Sequence, residues 1–219
     1  MIKLAIGMLF VLMNFSLDIG GLSINILPEF VGWLLFLSAA EKLKTKSEYF
    51  DKISGALFFM SMYKIADYIV SMLNINAGTI ATVFFYGGIV TTVLGLYLLY
   101  RIFCGIEEIA QKDDVRVKTG RIFTLFKINV VITILAYLNN FTGIYYNYLW
   151  YGKIAPALTR PIFKLLSLLP ANVISILSGV AIAIILVGVV IKFFIILFTF
   201  EVCTDYDKIM TERSGRKKY

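Results

Sequence analysis

Six long apolar stretches, separated by short polar gaps, set the pattern of this chain. They cover residues 4–17, 26–40, 53–73, 79–103, 122–141 and 173–200. Apolar runs that approach 20 residues are typical of helices that cross a lipid bilayer. The pattern therefore predicts an all-α integral membrane protein with six transmembrane helices arranged as three hairpins. The whole chain, 1–219, is expected to form a single membrane domain that ends in a polar tail over residues 201–219.

The basic residues fall almost entirely in alternate gaps. Of the 21 lysines and arginines, 15 lie at the start of the chain, in the second and fourth gaps with their borders, or in the tail. Short loops rich in lysine and arginine face the cytoplasm. We therefore expect a membrane protein with both termini in the cytoplasm.

Composition limits the chemistry that this chain can perform. Hydrophobic residues make up 59% of it, against about 45–50% in soluble domains. The net charge of +7 lies at the predicted membrane borders, where anionic lipid accounts for it, so no nucleic-acid partner is expected. Histidine is absent and only Cys104 and Cys203 are present. We therefore predict no metal and no cofactor, because histidine and cysteine are the common ligands.

One apolar segment is too short to cross a bilayer. Residues 162–169 lie between Pro161 and Pro170, after an aromatic-rich segment. Such a segment predicts a short interfacial or re-entrant helix between helices five and six. It is interpreted either as a connector that lies on the lipid or as an extracellular lid.

The first predicted hairpin is the most unusual part of the sequence. Its two apolar runs would measure roughly 21–23 Å as helices, short of a hydrocarbon core of about 30 Å. Glycines and a proline interrupt residues 18–29 between them, and such interruptions indicate binding sites in membrane transporters. In one interpretation Asn25 or a neighbour caps the second helix, with Pro28 and Glu29 in its first turn. In the other, Asp18, Asn25 and Glu29 face a ligand.

Three ionisable residues lie deep within the predicted spans. Lys64 is about 18 Å beyond Lys52 along a helix, and Lys192 is about 13 Å before Glu201. Asp67 lies three residues after Lys64, where the two side chains can pair. Charges at such depth are candidates for functional sites. The alternative is a structural pair that holds the third helix to its neighbours. If Lys192 faces inward with Lys64, the interior suits an anionic group.

Catalysis finds little support in the sequence. Glu107 and Glu108, followed by Lys112, resemble the paired-glutamate start of the intramembrane CAAX-type proteases, but those enzymes also need histidines. We therefore expect no enzyme, with a membrane enzyme acting on lipid as the remaining alternative.

Residues 18–33, which include Ile-Leu-Pro-Glu-Phe-Val-Gly-Trp at 26–33, resemble the opening hairpin of uncharacterised multi-pass membrane proteins from Firmicutes. In those proteins an acidic loop leads into a Leu-Pro-acidic-Phe-x-Gly-aromatic helix start. The resemblance implies a bacterial plasma membrane and brings no assigned activity.

Two functional hypotheses follow. The first is a small bacterial membrane transport or ligand-binding component, acting as a subunit or a homo-oligomer. Its polar intramembrane site would consist of Asp18, Asn25, Glu29, Lys64, Asp67 and Lys192. The second is a non-transporting accessory, regulatory or immunity protein within a larger complex. The expected partners are the lipid bilayer and either other membrane or cytoplasmic subunits or further copies of the chain.

Overall fold

Each of the six apolar stretches contains a helix, because a helix satisfies its own backbone polar groups in an apolar setting. The computed structural model describes the backbone of residues 1–13, 16–19, 22–25, 27–72, 78–151 and 171–216. Within it, side chains are described for residues 1–13, 27–70, 72, 87–136, 183, 184 and 186–214. The helices in this part of the chain are α1 (Ile2–Leu12), α2 (Glu29–Leu43), α3 (Glu48–Met72), α4 (Gly78–Lys112), α5 (Thr119–Tyr151) and α6 (Ala171–Arg216).

A β-hairpin separates the first two helices. Strand β1 (Ser16–Ile19) pairs antiparallel with β2 (Leu22–Asn25). The described residues are therefore mostly helical, with this hairpin between α1 and α2. The predicted first two helices, residues 4–17 and 26–40, were placed too close together, since α1 ends at Leu12 and α2 begins at Glu29.

The strand register places polar residues opposite polar residues and apolar residues opposite apolar residues. Ser16 lies opposite Asn25 and Asp18 opposite Ser23, while Leu17 lies opposite Ile24 and Ile19 opposite Leu22. Because directly opposed residues occupy the same face of a ladder, the hairpin has one polar and one apolar face. The predicted site residues Asp18 and Asn25 occupy positions on the same face.

Four helices contain segments long and apolar enough to cross a membrane. The segments are Glu48–Val70, Gly87–Lys112, Thr119–Ala136 and Leu186–Ser214, among the described residues. Large apolar side chains on them are more than half exposed, including Phe58, Phe59, Val90 and Val93. Apolar surface of this extent is unfavourable in water and suits contact with lipid. These features indicate a membrane protein. The count of six spans and their orientation stay predictions.

The chain divides into two compact units. One contains Met1–Phe126 and Lys192–Tyr219, and the other contains Lys127–Ile191. In the first unit α1 packs on α2, α2 on α3 and α3 on α4, and β2 contacts α3. Its largest fully buried side chains include Trp33, Phe36, Phe50 and Met60. The predicted helix at residues 162–169 lies outside the described residues.

Helices α1 and α2 approach each other at two glycines. A Cβ atom on Gly32 would lie 2.6 Å from Val11 Cγ2 and 2.7 Å from the carbonyl oxygen of Gly7. Backbone-to-backbone contact of this kind permits no side chain at Gly32. The glycines of α4 differ in how closely their neighbours approach. A Cβ on Gly95 would lie 3.2 Å from Met60 Cε, whereas one on Gly88 would meet nothing within 4 Å.

Segments predicted to be cytoplasmic meet at one end of the first unit, which we call the basic end. Lys3 Nζ donates to Ser38 Oγ over 3.2 Å, and Lys112 Nζ donates to the carbonyl oxygen of Lys46 over 3.1 Å. Arg213 donates to the carbonyl oxygen of Asp114 over 2.9 Å. The basic end thus consists of the α2–α3 and α4–α5 connections with the neighbouring ends of α1, α2 and α6.

Candidate functional site

Glu29 is the first residue of α2, immediately after the β-hairpin segment. Pro28 occupies the N-cap position with φ −63°, and no described side chain caps the helix. The backbone of Asn25 pairs with Ser16 in the hairpin, and its side chain, on which the predicted capping role depends, lies outside the described residues. Proline suits this position because its fixed φ is ready for the helix start. The carboxylate of Glu29 is favourable there because the helix N-terminus carries partial positive charge.

Both carboxylate oxygens of Glu29 have partners. Lys64 Nζ lies 2.9 Å from Oε2, and Trp33 Nε1 donates to Oε1 over 3.0 Å. The lysine and glutamate side chains are 15% and 22% exposed, and Trp33 is 1% exposed. Glu29 therefore holds α3 to the start of α2 through a largely buried ion pair. The same two contacts orient its carboxylate.

Asp67 is not the ion-pair partner that the sequence predicted for Lys64. The ammonium of Lys64 pairs with Glu29, while Asp67 interacts with both groups only through longer-range electrostatics. Among the described residues Asp67 forms no ion pair and no hydrogen bond. Its carboxylate is half-buried one turn further along α3.

Lys192 belongs to the same group of charges. It lies on α6 with a partly exposed side chain, and the charge of Glu29 acts on its ammonium. It forms no ion pair or hydrogen bond with any described residue. Lys64 thus pairs directly with Glu29, whereas Lys192 interacts with Glu29 only through longer-range electrostatics. The expected inward position of Lys192 stays a prediction. We call Glu29, Trp33, Lys64, Asp67 and Lys192 the Glu29 cluster.

The hairpin lies beside the helix that carries two members of the cluster. Strand β2 contacts α3, on which Lys64 and Asp67 lie. Of the predicted site residues, Glu29 and Lys64 are in direct contact, and Asp67 and Lys192 interact with Glu29 through longer-range electrostatics. The structure places Asp18 and Asn25 on one face of the hairpin, and their side chains lie outside the described part.

The cluster contains two carboxylates and two ammonium groups, so its formal charges cancel. One carboxylate and one ammonium are matched at 2.9 Å, while Asp67 and Lys192 have no direct protein partner among the described residues. Unpaired charges are costly in a medium of low polarity. Two unmatched charges of opposite sign are complementary to a small molecule that carries both an anionic and a cationic group. Within the described residues, no group of three acidic or cysteine side chains is placed to hold a metal.

A second polar site lies at the basic end. A cavity of about 340 Å³ is lined in part by Glu107, Arg116 and Thr119. Glu107 accepts a hydrogen bond of 3.0 Å from the Thr119 hydroxyl. Glu108 accepts one from the Ser47 hydroxyl and pairs with Lys112 at 2.8 Å. The paired glutamates thus join α4 to the two neighbouring connections.

No protein-family model, curated protein or solved structure matches this chain. The structure nevertheless gives physical roles to the motif at 26–33. Glu29 forms the ion pair, Gly32 allows α1 to approach, and Trp33 donates to Glu29. The motif is therefore a structural unit that builds one corner of the cluster.

Proposed function

We propose that this protein is a small membrane transport or ligand-binding component, and that the Glu29 cluster is its ligand site. The observation that carries the proposal is the convergence of ionisable residues from α2, α3 and α6 around Glu29. Glu29, Lys64 and Lys192 are far apart in the sequence, so local helix geometry does not account for the interactions between them.

The depth of the cluster supports this assignment. Glu29 precedes Glu41 by twelve residues and Lys64 follows Lys52 by twelve, so each lies about 18 Å along its helix from the basic end. An ionisable residue at that distance into a hydrocarbon core is costly unless it serves a pair, a cavity or a pathway. A single structural pair needs only Glu29 and Lys64. Asp67 and Lys192 are then the residues that a ligand would engage.

The ligand that best complements the cluster is a small zwitterion. The ammonium of Lys192 suits a carboxylate or phosphate, and the carboxylate of Asp67 suits an amine. Charge-assisted hydrogen bonds of this kind are the stronger class. With both groups matched, neither charge of the cluster remains unpaired in the bound state.

The β-hairpin supports a site rather than a plain helical bundle. Helix α1 has 11 residues, or roughly 16 Å, about half the thickness of a hydrocarbon core. A hairpin that follows so short a helix lies at membrane depth, where non-helical backbone is tolerated beside protein or a water-filled cavity. Interrupted segments of this kind build the substrate sites of many transporters. We place this component, as a subunit or a homo-oligomer, in a bacterial cytoplasmic membrane.

Native mass spectrometry of protein extracted gently from its own membrane tests the proposal. We expect the wild type to retain a small molecule, and Lys192→Met and Asp67→Asn each to lose it. Lys127→Met is the matched control, because Lys127 is an exposed lysine of α5 outside the cluster. Retention of the same mass by all three variants would contradict the assignment of the site.

An accessory protein of a larger complex is the second candidate. The cavity of about 340 Å³ and the exposed Arg116 at the basic end favour it, since both are available to another subunit. In the same experiment, a stoichiometric protein partner with no retained small molecule would select this alternative.

A further inference from the structure

Arg101 is a cation without an acidic partner. Its guanidinium carbon lies 4.4 Å from the ring centre of Tyr49 and 5.9 Å from that of Tyr97. Its Nε atom is buried and has no hydrogen-bond partner in the described part of the chain. Among the described residues, no carboxylate forms an ion pair with it.

The neighbouring lysines of Arg101 already form ion pairs. Lys52 pairs with Glu48 at 2.9 Å, and Lys112 pairs with Glu108 at 2.8 Å. Lys52 lies near enough to Arg101 for the two positive charges to interact. The local excess of positive charge is therefore centred on Arg101, and no described side chain relieves it.

Stacking on tyrosine does not satisfy this side chain. A guanidinium has five N–H donors in a planar fork, and an aromatic ring accepts none of them as a full hydrogen bond. A phosphate group accepts two parallel hydrogen bonds from the fork. The two rings hold the guanidinium plane in place, so less side-chain freedom is lost when a phosphate binds.

The position of Arg101 indicates where the phosphate comes from. Tyr49 is the second residue of α3, directly after the α2–α3 connection, so the site lies at the border between the spans and the basic end. Tyr97 and Tyr100 are 52% and 44% exposed. Exposed tyrosines prefer the headgroup region of a bilayer. Anionic headgroups also bind to basic sites between helices near the membrane surface.

We infer that Arg101, flanked by Tyr49 and Tyr97, binds the headgroup phosphate of an anionic phospholipid in the leaflet next to the basic end. The site is separate from the Glu29 cluster and does not depend on the function proposed above.

The test is a lipid titration of delipidated protein in detergent, with phosphatidylglycerol and with phosphatidylcholine, followed by native mass spectrometry. We expect Arg101→Ala to weaken binding of phosphatidylglycerol roughly tenfold, since a charge-assisted hydrogen bond contributes at least that factor. Arg116→Ala removes the same charge from the exposed α4–α5 connection and is expected to bind like the wild type. Equal weakening in both variants would overturn the proposal, because it would indicate general attraction to a basic surface.

Two further measurements separate the remaining outcomes. Arg101→Lys keeps the charge but loses the fork, so intermediate binding is expected, and it replaces Arg101→Ala if that variant does not fold. Thermal unfolding with inorganic phosphate identifies the source of the group. Stabilisation by phosphate as large as that by phosphatidylglycerol, and equally dependent on Arg101, would overturn the assignment to a lipid.

Discussion

The ammonium of Lys64 lies 2.9 Å from the carboxylate of Glu29, in a pair whose members are 35 positions apart in the sequence. The pair joins the middle of α3 to the first residue of α2, where the chain leaves the β-hairpin segment. Trp33 donates to the other oxygen of the same carboxylate over 3.0 Å. Glu29 is therefore both a structural link and the centre of the charges that we propose as a ligand site.

Glu29→Gln should destabilise the protein strongly. The substitution removes the negative charge and leaves Lys64, which is 15% exposed, without its counterion. Breaking a buried ion pair on one side costs about 3–5 kcal/mol. Thermal unfolding in detergent measures the loss, and Lys64→Met in the same background should restore part of it.

Glu48→Gln is the matched control for this prediction. Glu48 also pairs with a lysine at 2.9 Å, but its side chain is 76% exposed and that of Lys52 is 63% exposed. Exposed pairs contribute about 0–1 kcal/mol, so this variant should unfold like the wild type. Equal losses in the two variants would show that the Glu29–Lys64 pair is solvated.

Asp67→Asn should leave stability unchanged or raise it. Because Lys64 pairs with Glu29, the substitution removes an unpaired half-buried charge and breaks no ion pair. Ligand binding should be lost in the same variant. Unfolding temperature and ligand retention, measured on one preparation, separate the two effects. A large drop in unfolding temperature would assign Asp67 a structural role instead.

Gly32→Ala should separate α1 from α2. The added Cβ would lie 2.6 Å from a methyl group of Val11 and 2.7 Å from the Gly7 carbonyl oxygen, which cannot move without its helix. We expect a loss of about 1–3 kcal/mol, as for other overpacked cores. Gly55→Ala is the control, since a Cβ there meets nothing within 4 Å. It should be neutral or stabilising because alanine favours the helix.

Trp33→Phe tests whether the indole orients Glu29. The variant keeps a large ring in a buried position but removes the N–H that donates to Oε1. A hydrogen bond to a charged group contributes about 1.5–3 kcal/mol. In the wild-type background, Trp33→Phe should lower the free energy of unfolding by about this amount. In the Glu29→Gln background, the same substitution should lower it by less. Identical losses in both backgrounds would mean that the ring only fills space.

The sequence contained a signal for the ion-pair partner of Lys64 that spacing along a single helix did not reveal. Asp67 was the expected partner of Lys64 because residues three apart meet on a helix surface. The structure selects Glu29, which lies as many residues from Glu41 as Lys64 does from Lys52. Equal depth on adjacent antiparallel helices was therefore the relevant signal. Equal depth identifies the partner only if α2 is known to pack on α3, and no short-range sequence pattern gives that information.

The apolar stretches correctly predicted helices, while the hairpin shows the limit of that prediction. Residues 16–19 and 22–25 alternate polar and apolar side chains, the period of a strand. An alternation of only four residues within a longer apolar region is too short to predict a strand instead of a helix. Cross-strand pairing, which depends on tertiary contacts, decides the outcome there.

Access of water to the Glu29 cluster tests the central claim most directly. Cys104 and Cys203 are first replaced with alanine, and Asp67→Cys and Lys192→Cys are then introduced one at a time. Membrane vesicles of both orientations that contain each variant are treated with a charged, impermeant methanethiosulfonate. Phe58→Cys is the control, because Phe58 is 56% exposed on a membrane-length helix and should face lipid. A ligand site predicts modification at positions 67 and 192 in at least one orientation, and none at 58. If neither position 67 nor 192 reacts in either orientation, the cluster is a sealed structural network and the proposed function is wrong.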